Sequence, residues 1–199
     1  EKSDSVVMDP HKGLFLPYGI GAVLIKDKRK LMSAHHYSAN YMQDVFLDEE
    51  ETSPANLSPE MSKHFRGLRM WLPLKLHGLA PFRNALEEKL LLAQYLYEKI
   101  KSEKGFEVGP KPELSVVTFR YVPPFGDADA FNEKLINEMH TDGRIFISST
   151  TINGQFVLRV AILNFRTHLE TIDRTLSIIK EKVNHLLASQ PQTLVEDTS

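Results

Sequence analysis

The lysine at position 12 has the surroundings of a side chain that could do covalent chemistry. It ends the segment Asp9-Pro10-His11-Lys12, is followed by a glycine, and lies between two apolar runs. A lysine amine beside an apolar wall is poorly solvated in its charged form, so its pKa falls and the amine becomes nucleophilic. Such an amine can form a Schiff base with an aldehyde. The alternative is an ordinary surface lysine in a turn, because short motifs also occur by chance.

The residues on either side of this segment predict a strand, a turn and a second strand. Ser5–Met8 and Gly21–Ile25 are short β-branched runs, and the prolines and glycines between them are typical of a turn. Both runs are apolar without alternation, as in strands that are covered on both faces. Two strands cannot cover each other's faces, so we expect the remaining strands and helices of a larger α/β sheet to lie outside this segment.

The next part of the chain predicts a long loop followed by a helix. Residues 33–60 have neither helical nor strand periodicity, and we interpret them as a mobile loop; loops of this length are usually functional or disordered. Ser58 is predicted to cap a helix, with Pro59 at its first position and Glu60 in its first turn. Apolar residues recur at helical spacing after it, and one of them, Trp71, is expected in a core.

The second half of the chain predicts a connecting helix and then a small α/β domain. A long amphipathic helix is expected over residues 82–104, ended by Gly105. The predicted elements after it are a strand at 114–121, a helix at 128–140, strands at 144–150 and 155–163, and a helix opened by the capping box Thr167-x-x-Glu170. The pair Asn153-Gly154 predicts a tight hairpin turn between the last two strands.

Bulk properties exclude several classes of protein. The 199 residues carry a net charge of −2, which gives no electrostatic reason to expect nucleic acid or an anionic membrane as a partner. Cysteine is absent, which excludes disulfides and thiolate chemistry and suits a cytoplasmic protein. No histidine pair has metal-binding spacing on a helix, so no metal is expected. The chain begins at Glu1 and enters a strand almost at once, as expected for the C-terminal portion of a longer protein.

Three motifs in order resemble one enzyme family. The segment Asp9 to Lys12 with the following Gly21-Ala22-Val23-Leu24 resembles the cofactor-lysine segment of the group II pyridoxal-phosphate-dependent amino-acid decarboxylases. Residues 62–71 (SKHFRGLRMW) resemble the helix that reads S-R-R-F-R-x-L-K-x-W in that family, and residues 154–164 (GQFVLRVAILN) resemble its last strands. The similarity spans nearly the whole chain, and three ordered matches are far more specific than one.

The resemblance implies a cofactor and the residues that hold it. The cofactor is pyridoxal 5′-phosphate, and Lys12 is implied to be the lysine that binds its aldehyde. His11 and Asp9 would lie beside the cofactor phosphate, although many family members have asparagine at position 9. Backbone groups around Ser62 are implied to reach the phosphate across a dimer interface, whereas Arg66 and Arg69 are expected to be structural.

Two further side chains are implied to act on the substrate. Tyr41 matches the family's loop tyrosine, which returns a proton to the substrate carbon after carbon dioxide leaves; Tyr37 is the competing candidate, and an exposed aromatic without a role is the alternative. A phenylalanine at position 41 would instead suggest oxidative deamination to an aldehyde. Arg159 lies in an otherwise apolar strand, where it could clamp a substrate carboxylate or form a structural ion pair with an acidic residue of the large domain.

The resemblance therefore predicts the C-terminal part of a homodimeric fold type I enzyme that decarboxylates an L-amino acid, a carbon–carbon lyase. Residues 1–80 would end the large cofactor domain, with the mobile catalytic loop at 33–60. Residues 81–112 would form the connecting helix and linker, 113–188 the small domain and 189–199 a tail. The family's aspartate on the pyridine nitrogen and its phosphate cup precede the lysine, so this chain alone is expected to be inactive. The alternatives are another fold type I lyase or transaminase, or a truncated, non-catalytic dimerising domain.

Overall fold

The chain folds as two compact units of mixed helix and sheet. The computed structural model describes residues 2–35, 54–60 and 62–189, and the two units are Glu1–Phe82 and Arg83–Ser199. None of the helices in the described part of the chain has the length and hydropathy that a membrane span needs.

The first unit is built on a two-stranded antiparallel hairpin, which confirms the predicted strand–turn–strand. Its elements are β1 (Ser5–Met8), α1 (Pro10–Gly13), β2 (Ala22–Ile25), α2 (Lys28–His35), a 3₁₀ turn (Pro54–Leu57) and α3 (Gly67–His77). Val7 and Leu24 are 75% and 59% exposed, so the described residues of this unit leave the hairpin uncovered. The loop predicted at 33–60 is wrong at its start, since residues 33–35 end α2, and residues 36–53 lie outside the described part.

The helix predicted to start at Ser58 begins instead at Gly67. Residues 58–60 and 62–66 are not helical, and side chains connect them: the Lys63 amine donates to the Ser58 hydroxyl at 2.7 Å, and Arg66 pairs with Glu60. These contacts use the groups that would have capped the predicted helix. Trp71 was expected in a core, but its side chain is 58% exposed.

The second unit packs three helices on one face of a four-stranded antiparallel sheet with strand order β3-β4-β6-β5. The elements are α4 (Ala80–Ser102), β3 (Phe106–Val108), β4 (Val116–Tyr121), α5 (Ala128–Asp142), β5 (Ser148–Ile152), β6 (Gln155–Ala161) and α6 (Leu169–Ser189). The helices and strands predicted after residue 81 are found with shifted ends. Helix α4 begins at Ala80 and not at residue 82, β5 begins at Ser148 and not at residue 144, and α6 begins at Leu169, two residues after the expected cap Thr167. Strand β3 was not predicted.

The core of this unit lies between the sheet and α4, α5 and α6. Phe119 and Leu158 on the sheet and Leu96 and Leu135 on the helices are at most 1% exposed. Burial of each such side chain stabilises the fold by about 1.5–3 kcal/mol. Because α4 contributes to this core, it is an integral part of the second unit as well as the element that follows α3.

The predicted hairpin turn is confirmed. Asn153 and Gly154 have φ angles of 52° and 79°, and Ile152 pairs directly with Gln155. Two consecutive left-handed residues are what a two-residue hairpin loop requires, and asparagine followed by glycine adopts them at low cost.

An ion-pair cluster at the end of α5 makes the stability of this unit depend on pH. The Arg144 guanidinium beside Asp142, helped by Lys182 at 2.8 Å, holds the pKa of that carboxyl far below its usual range. A depressed carboxyl pKa stabilises the folded state above the unfolded pKa and loses that contribution as pH falls through the folded one. Asp142→Asn should therefore lower the unfolding midpoint at neutral pH, and its difference from wild type should shrink below about pH 4.

Unfolding midpoints measured between about pH 2 and pH 7 check this expectation. The matched control is Glu133→Gln, which removes an exposed acid from the same helix. A difference between wild type and Asp142→Asn that stays constant across this pH range would contradict the proposed coupling.

Candidate functional site

Lys12 lies on the one-turn helix α1, between the strands of the hairpin. Three residues of this segment are buried: Pro10 in α1, and Leu16 and Ile20 after it, which are 6% and 4% exposed. The Lys12 backbone N–H donates to the Asp9 carbonyl at 2.9 Å. The Leu16 N–H donates to the Pro10 carbonyl at 3.2 Å, so backbone hydrogen bonds connect α1 to the residues on both of its sides.

The Lys12 amine is exposed and paired with a carboxylate. Its Nζ lies 2.6 Å from Asp9 Oδ2, and the two side chains are 61% and 43% exposed. The hydrogen bond that Lys12 donates to Asp9 raises the pKa of Lys12, and the same bond lowers the pKa of Asp9. The prediction of an apolar wall and a lowered lysine pKa is therefore wrong for the described residues, because a carboxylate occupies that place.

His11 has one ring nitrogen fixed by the backbone. Its Nδ1 lies 2.7 Å from the Ile20 carbonyl oxygen, and its ring stacks on Tyr18 with centroids 5.0 Å apart. A carbonyl oxygen only accepts hydrogen bonds, so Nδ1 carries the proton and Nε2 is the acceptor nitrogen of the neutral ring. The imidazole beside Lys12 is thereby held in one orientation and one tautomer.

An arginine from α3 ties that helix to the turn after α1. Arg69 donates to the carbonyl oxygens of Tyr18 and Gly19 at 2.8 and 3.3 Å, which confirms its structural role, as the Glu60 pair does for Arg66. Gly19 has a φ of 79°, and a side chain there would collide with the Arg69 guanidinium. Sequence reasoning missed Tyr18, Ile20 and Gly19 as parts of this site, because their contacts join residues up to 51 positions apart.

The other predicted residues are distributed over the chain. Ser62 is exposed in the segment before α3, and Tyr37 and Tyr41 lie outside the described residues. Arg159 belongs to the second unit, on β6 between Thr118 of β4 and Ser148 of β5. Its Nη1 lies 3.3 Å from the Ser148 hydroxyl, and no carboxylate of the described residues forms an ion pair with it. In the described ranges no group of acidic or histidine side chains is placed to hold a metal ion.

Comparisons with known proteins assign the chain to a family. The pyridoxal-dependent decarboxylase conserved domain matches residues 1–122, more than half of the chain and the whole of the Lys12 site described above. The chain belongs to the pyridoxal-dependent decarboxylase family, as the three motifs predicted.

Named relatives agree with this assignment. An aromatic-L-amino-acid decarboxylase of Bacillus atrophaeus is 32% identical over 195 residues, which are 96% of this chain and 41% of the relative. Tyrosine decarboxylase 2 of Arabidopsis thaliana is 32% identical over 166 residues, 81% of this chain and 30% of the relative. The chain thus spans about two fifths or less of the length of these relatives.

Solved structures confirm the predicted fold class. A structure of Oryza sativa TDC with PLP and tryptamine matches 92% of this chain and 39% of its own with a TM-score of 0.84 at 22% identity. A structure of mouse CSAD in apo form matches 90% of this chain and 40% of its own with a TM-score of 0.75 at 25% identity. The fold is that of part of a fold type I pyridoxal-phosphate enzyme.

The residues around Lys12 fit the cofactor of this family. Pyridoxal phosphate binds its enzymes through a lysine amine. The Lys12 amine is accessible, and the Asp9 carboxylate 2.6 Å away orients it. The oriented imidazole of His11 adds a polar group beside that amine.

Proposed function

We propose that this chain is part of an enzyme that removes the carboxylate of an L-amino acid as carbon dioxide, with pyridoxal 5′-phosphate as cofactor. The observation that carries the proposal is the family match over residues 1–122. This range includes the motif around Lys12, whose amine is accessible. The relatives named above are decarboxylases of aromatic amino acids.

The proposed roles follow from the chemistry of each side chain. When bound, pyridoxal phosphate supplies an electron sink for the electron pair left by the departing carboxylate. Lys12 would hold the cofactor, and Asp9, His11 and Ser62 would border it. Tyr41 holds the proton that replaces the carboxylate on the substrate carbon. Arg159, which has no carboxylate partner among the described residues, binds an anionic group of the substrate.

We propose a cytoplasmic homodimer as the working form, with residues 1–80, 81–112 and 113–188 as its successive structural parts. Exposed apolar side chains on and before α3 support a protein partner at this helix. That partner is the rest of the enzyme or a second subunit. Phe65, Trp71 and Leu76 are 78%, 58% and 69% exposed. The uncovered hairpin of β1 and β2 supports further strands of a larger cofactor domain beside it.

Product analysis of the full-length protein tests the proposed reaction. Aromatic and acidic L-amino acids are supplied separately with pyridoxal phosphate, and carbon dioxide and amine are measured. Equal amounts of both products support decarboxylation, and the preferred substrate reports whether Arg159 meets a second carboxylate. A keto acid product would favour a transaminase, and no product with any amino acid would favour a non-catalytic dimerising domain.

A second candidate function converts the amino acid to an aldehyde with release of carbon dioxide and ammonia, where dioxygen is the oxidant and is reduced to hydrogen peroxide. Two similar proteins are a phenylacetaldehyde synthase of Arabidopsis thaliana and a 4-hydroxyphenylacetaldehyde synthase of Rhodiola rosea. The tyrosine at position 41 favours the amine product, because its hydroxyl can donate the proton that a phenylalanine cannot.

Tyr41→Phe should therefore reduce amine formation by about 100-fold and raise the share of aldehyde, since the loss of a general acid costs a rate factor of this size. The measurement is the ratio of amine to aldehyde in the full-length protein. Tyr37→Phe is the matched control and should leave the ratio unchanged. If Tyr37→Phe and not Tyr41→Phe changes the ratio, the proton donor is Tyr37.

A further inference from the structure

We propose that Asp9 is a positioning residue that holds the proton of Lys12, and that it thereby sets the pH above which the Lys12 amine acts as a nucleophile. The inference rests on the proposed role of Lys12 as the cofactor lysine. The proposed function puts Asp9 only beside the cofactor, whereas this inference assigns it a defined contact with the Nζ atom of Lys12.

The first argument is what the Asp9 carboxylate does not do. Asp9 occupies the N-cap position of α1, where an aspartate ordinarily accepts a hydrogen bond from a backbone N–H of the first turn. Its side chain makes no such bond. Oδ2 instead lies 2.6 Å from Lys12 Nζ, so the carboxylate binds the amine in preference to the helix end.

The second argument is that the pair is held by the backbone. Pro10, which is buried and has a restricted φ, lies directly after Asp9, and the Lys12 N–H bonds to the Asp9 carbonyl oxygen. Residues three positions apart on a helical turn present their side chains on the same face. The carboxylate is therefore already beside the ammonium and needs no rearrangement to accept its hydrogen bond.

The third argument concerns the charges around the pair. In the described ranges, His11 acts on Asp9 and Tyr18 acts on Lys12, and both act more weakly than the Asp9–Lys12 bond itself. The bond raises the pKa of Lys12 and lowers that of Asp9. Both shifts favour the state in which the amine is protonated and the carboxylate is charged. When the neutral amine forms, the proton leaves the ammonium for solvent, because the lowered pKa of Asp9 prevents the carboxylate from keeping it, and no other reactant is consumed.

A purely structural ion pair is the competing explanation. Exposed pairs of this kind add little to stability, so removal of the carboxylate would then leave both stability and the reactivity of Lys12 almost unchanged. A readout of the protonation of Lys12 separates the two explanations directly, and it does not require turnover.

The test is competitive acetylation of the full-length protein freed of cofactor. Limiting acetic anhydride reacts with neutral amines, and mass spectrometry compares Lys12 with Lys75, an exposed lysine of α3 that has no ion pair among the described residues. Asp9→Asn should increase Lys12 labelling relative to Lys75 by roughly two- to five-fold at about pH 8, because the neutral fraction of the amine rises. Asp9→Glu should restore the wild-type profile.

Two further variants complete the design. Asp9→Ser removes the charge but keeps a good N-cap residue, so it should give the same shift as Asp9→Asn even if the amide disturbs the turn. Asp27→Asn removes another exposed carboxylate of the same unit, one that pairs with Arg29, and should leave Lys12 labelling unchanged. Superimposable Lys12 profiles in wild type, Asp9→Asn and Asp9→Ser would overturn the proposal.

A second measurement connects the proton to the cofactor. The same apo proteins are mixed with pyridoxal phosphate and reduced with borohydride after short times, and the labelled fraction of Lys12 is measured. Asp9→Asn should be trapped faster than wild type at about neutral pH. Absence of trapping in every variant would contradict the proposed cofactor role of Lys12, whereas the acetylation profiles would still decide the role of Asp9.

Discussion

Lys12→Arg should abolish borohydride trapping of pyridoxal phosphate at position 12 and lower decarboxylation by the full-length protein at least about a thousand-fold. Arginine keeps the positive charge that pairs with Asp9, whose carboxylate lies 2.6 Å from the lysine amine. Its guanidinium, however, stays protonated at all accessible pH values. It therefore cannot supply the neutral nitrogen that bonds to an aldehyde. The effect is large because the substitution removes a covalent contact and preserves the electrostatic one.

The readouts are the mass of the peptide that contains position 12 after borohydride reduction and the rate of carbon dioxide release. Lys75→Arg is the matched control, since it makes the same change on an exposed lysine of α3, and it should retain wild-type activity. Turnover by Lys12→Arg at the wild-type rate, or a labelled lysine elsewhere in wild type, would refute the assignment of Lys12.

The local elements of this fold were predictable because their signals are local. The apolar period of α5 and α6 and the β-branched runs of β1 and β2 each reflect burial of one face or one strand. The turn at Asn153-Gly154 depends only on which residues tolerate a positive φ. The motif around Lys12 was equally readable, since residues 9 to 12 are consecutive.

The failures share a different cause, which is competition from contacts that sequence order does not reveal. Ser58 and Glu60 are good residues for a helix start, but Lys63 and Arg66 bind them and the helix starts later. Strand β3 has three residues between glycines, too few for a period, and exists because β4 pairs with it. The pKa of Lys12 is raised by its contact with Asp9. The chemistry of a lysine beside apolar residues alone predicted a lowered pKa.

Asn132 is a residue whose importance only the structure reveals. It is fully buried on α5, with its Oδ1 accepting from the Tyr121 N–H at 2.9 Å. Its Nδ2 donates to the carbonyl oxygens of Tyr121 and Ala128, each at 2.7 Å. The pairing of β4 with β6 runs from Val116 to Phe119, so Tyr121 has no partner in β6. The side-chain amide of Asn132 bonds to the Tyr121 backbone in place of that strand.

Asn132→Ala should destabilise the second unit by about 3–4 kcal/mol, because the buried N–H and carbonyl group of Tyr121 lose their partner and a cavity is left. Asn137→Ala, an exposed asparagine one and a half turns further along α5, is the matched control and should change the free energy of unfolding by less than about 0.5 kcal/mol. Asn132→Asp keeps the acceptor but turns a carboxylate oxygen toward the two carbonyl groups, so it should be no more stable than the alanine variant.

Urea unfolding gives the free energies, and hydrogen exchange at the Tyr121 amide localises the effect: its protection should fall in Asn132→Ala and persist in Asn137→Ala. Wild-type protection of that amide in Asn132→Ala would mean that the end of β4 is held by something other than this side chain.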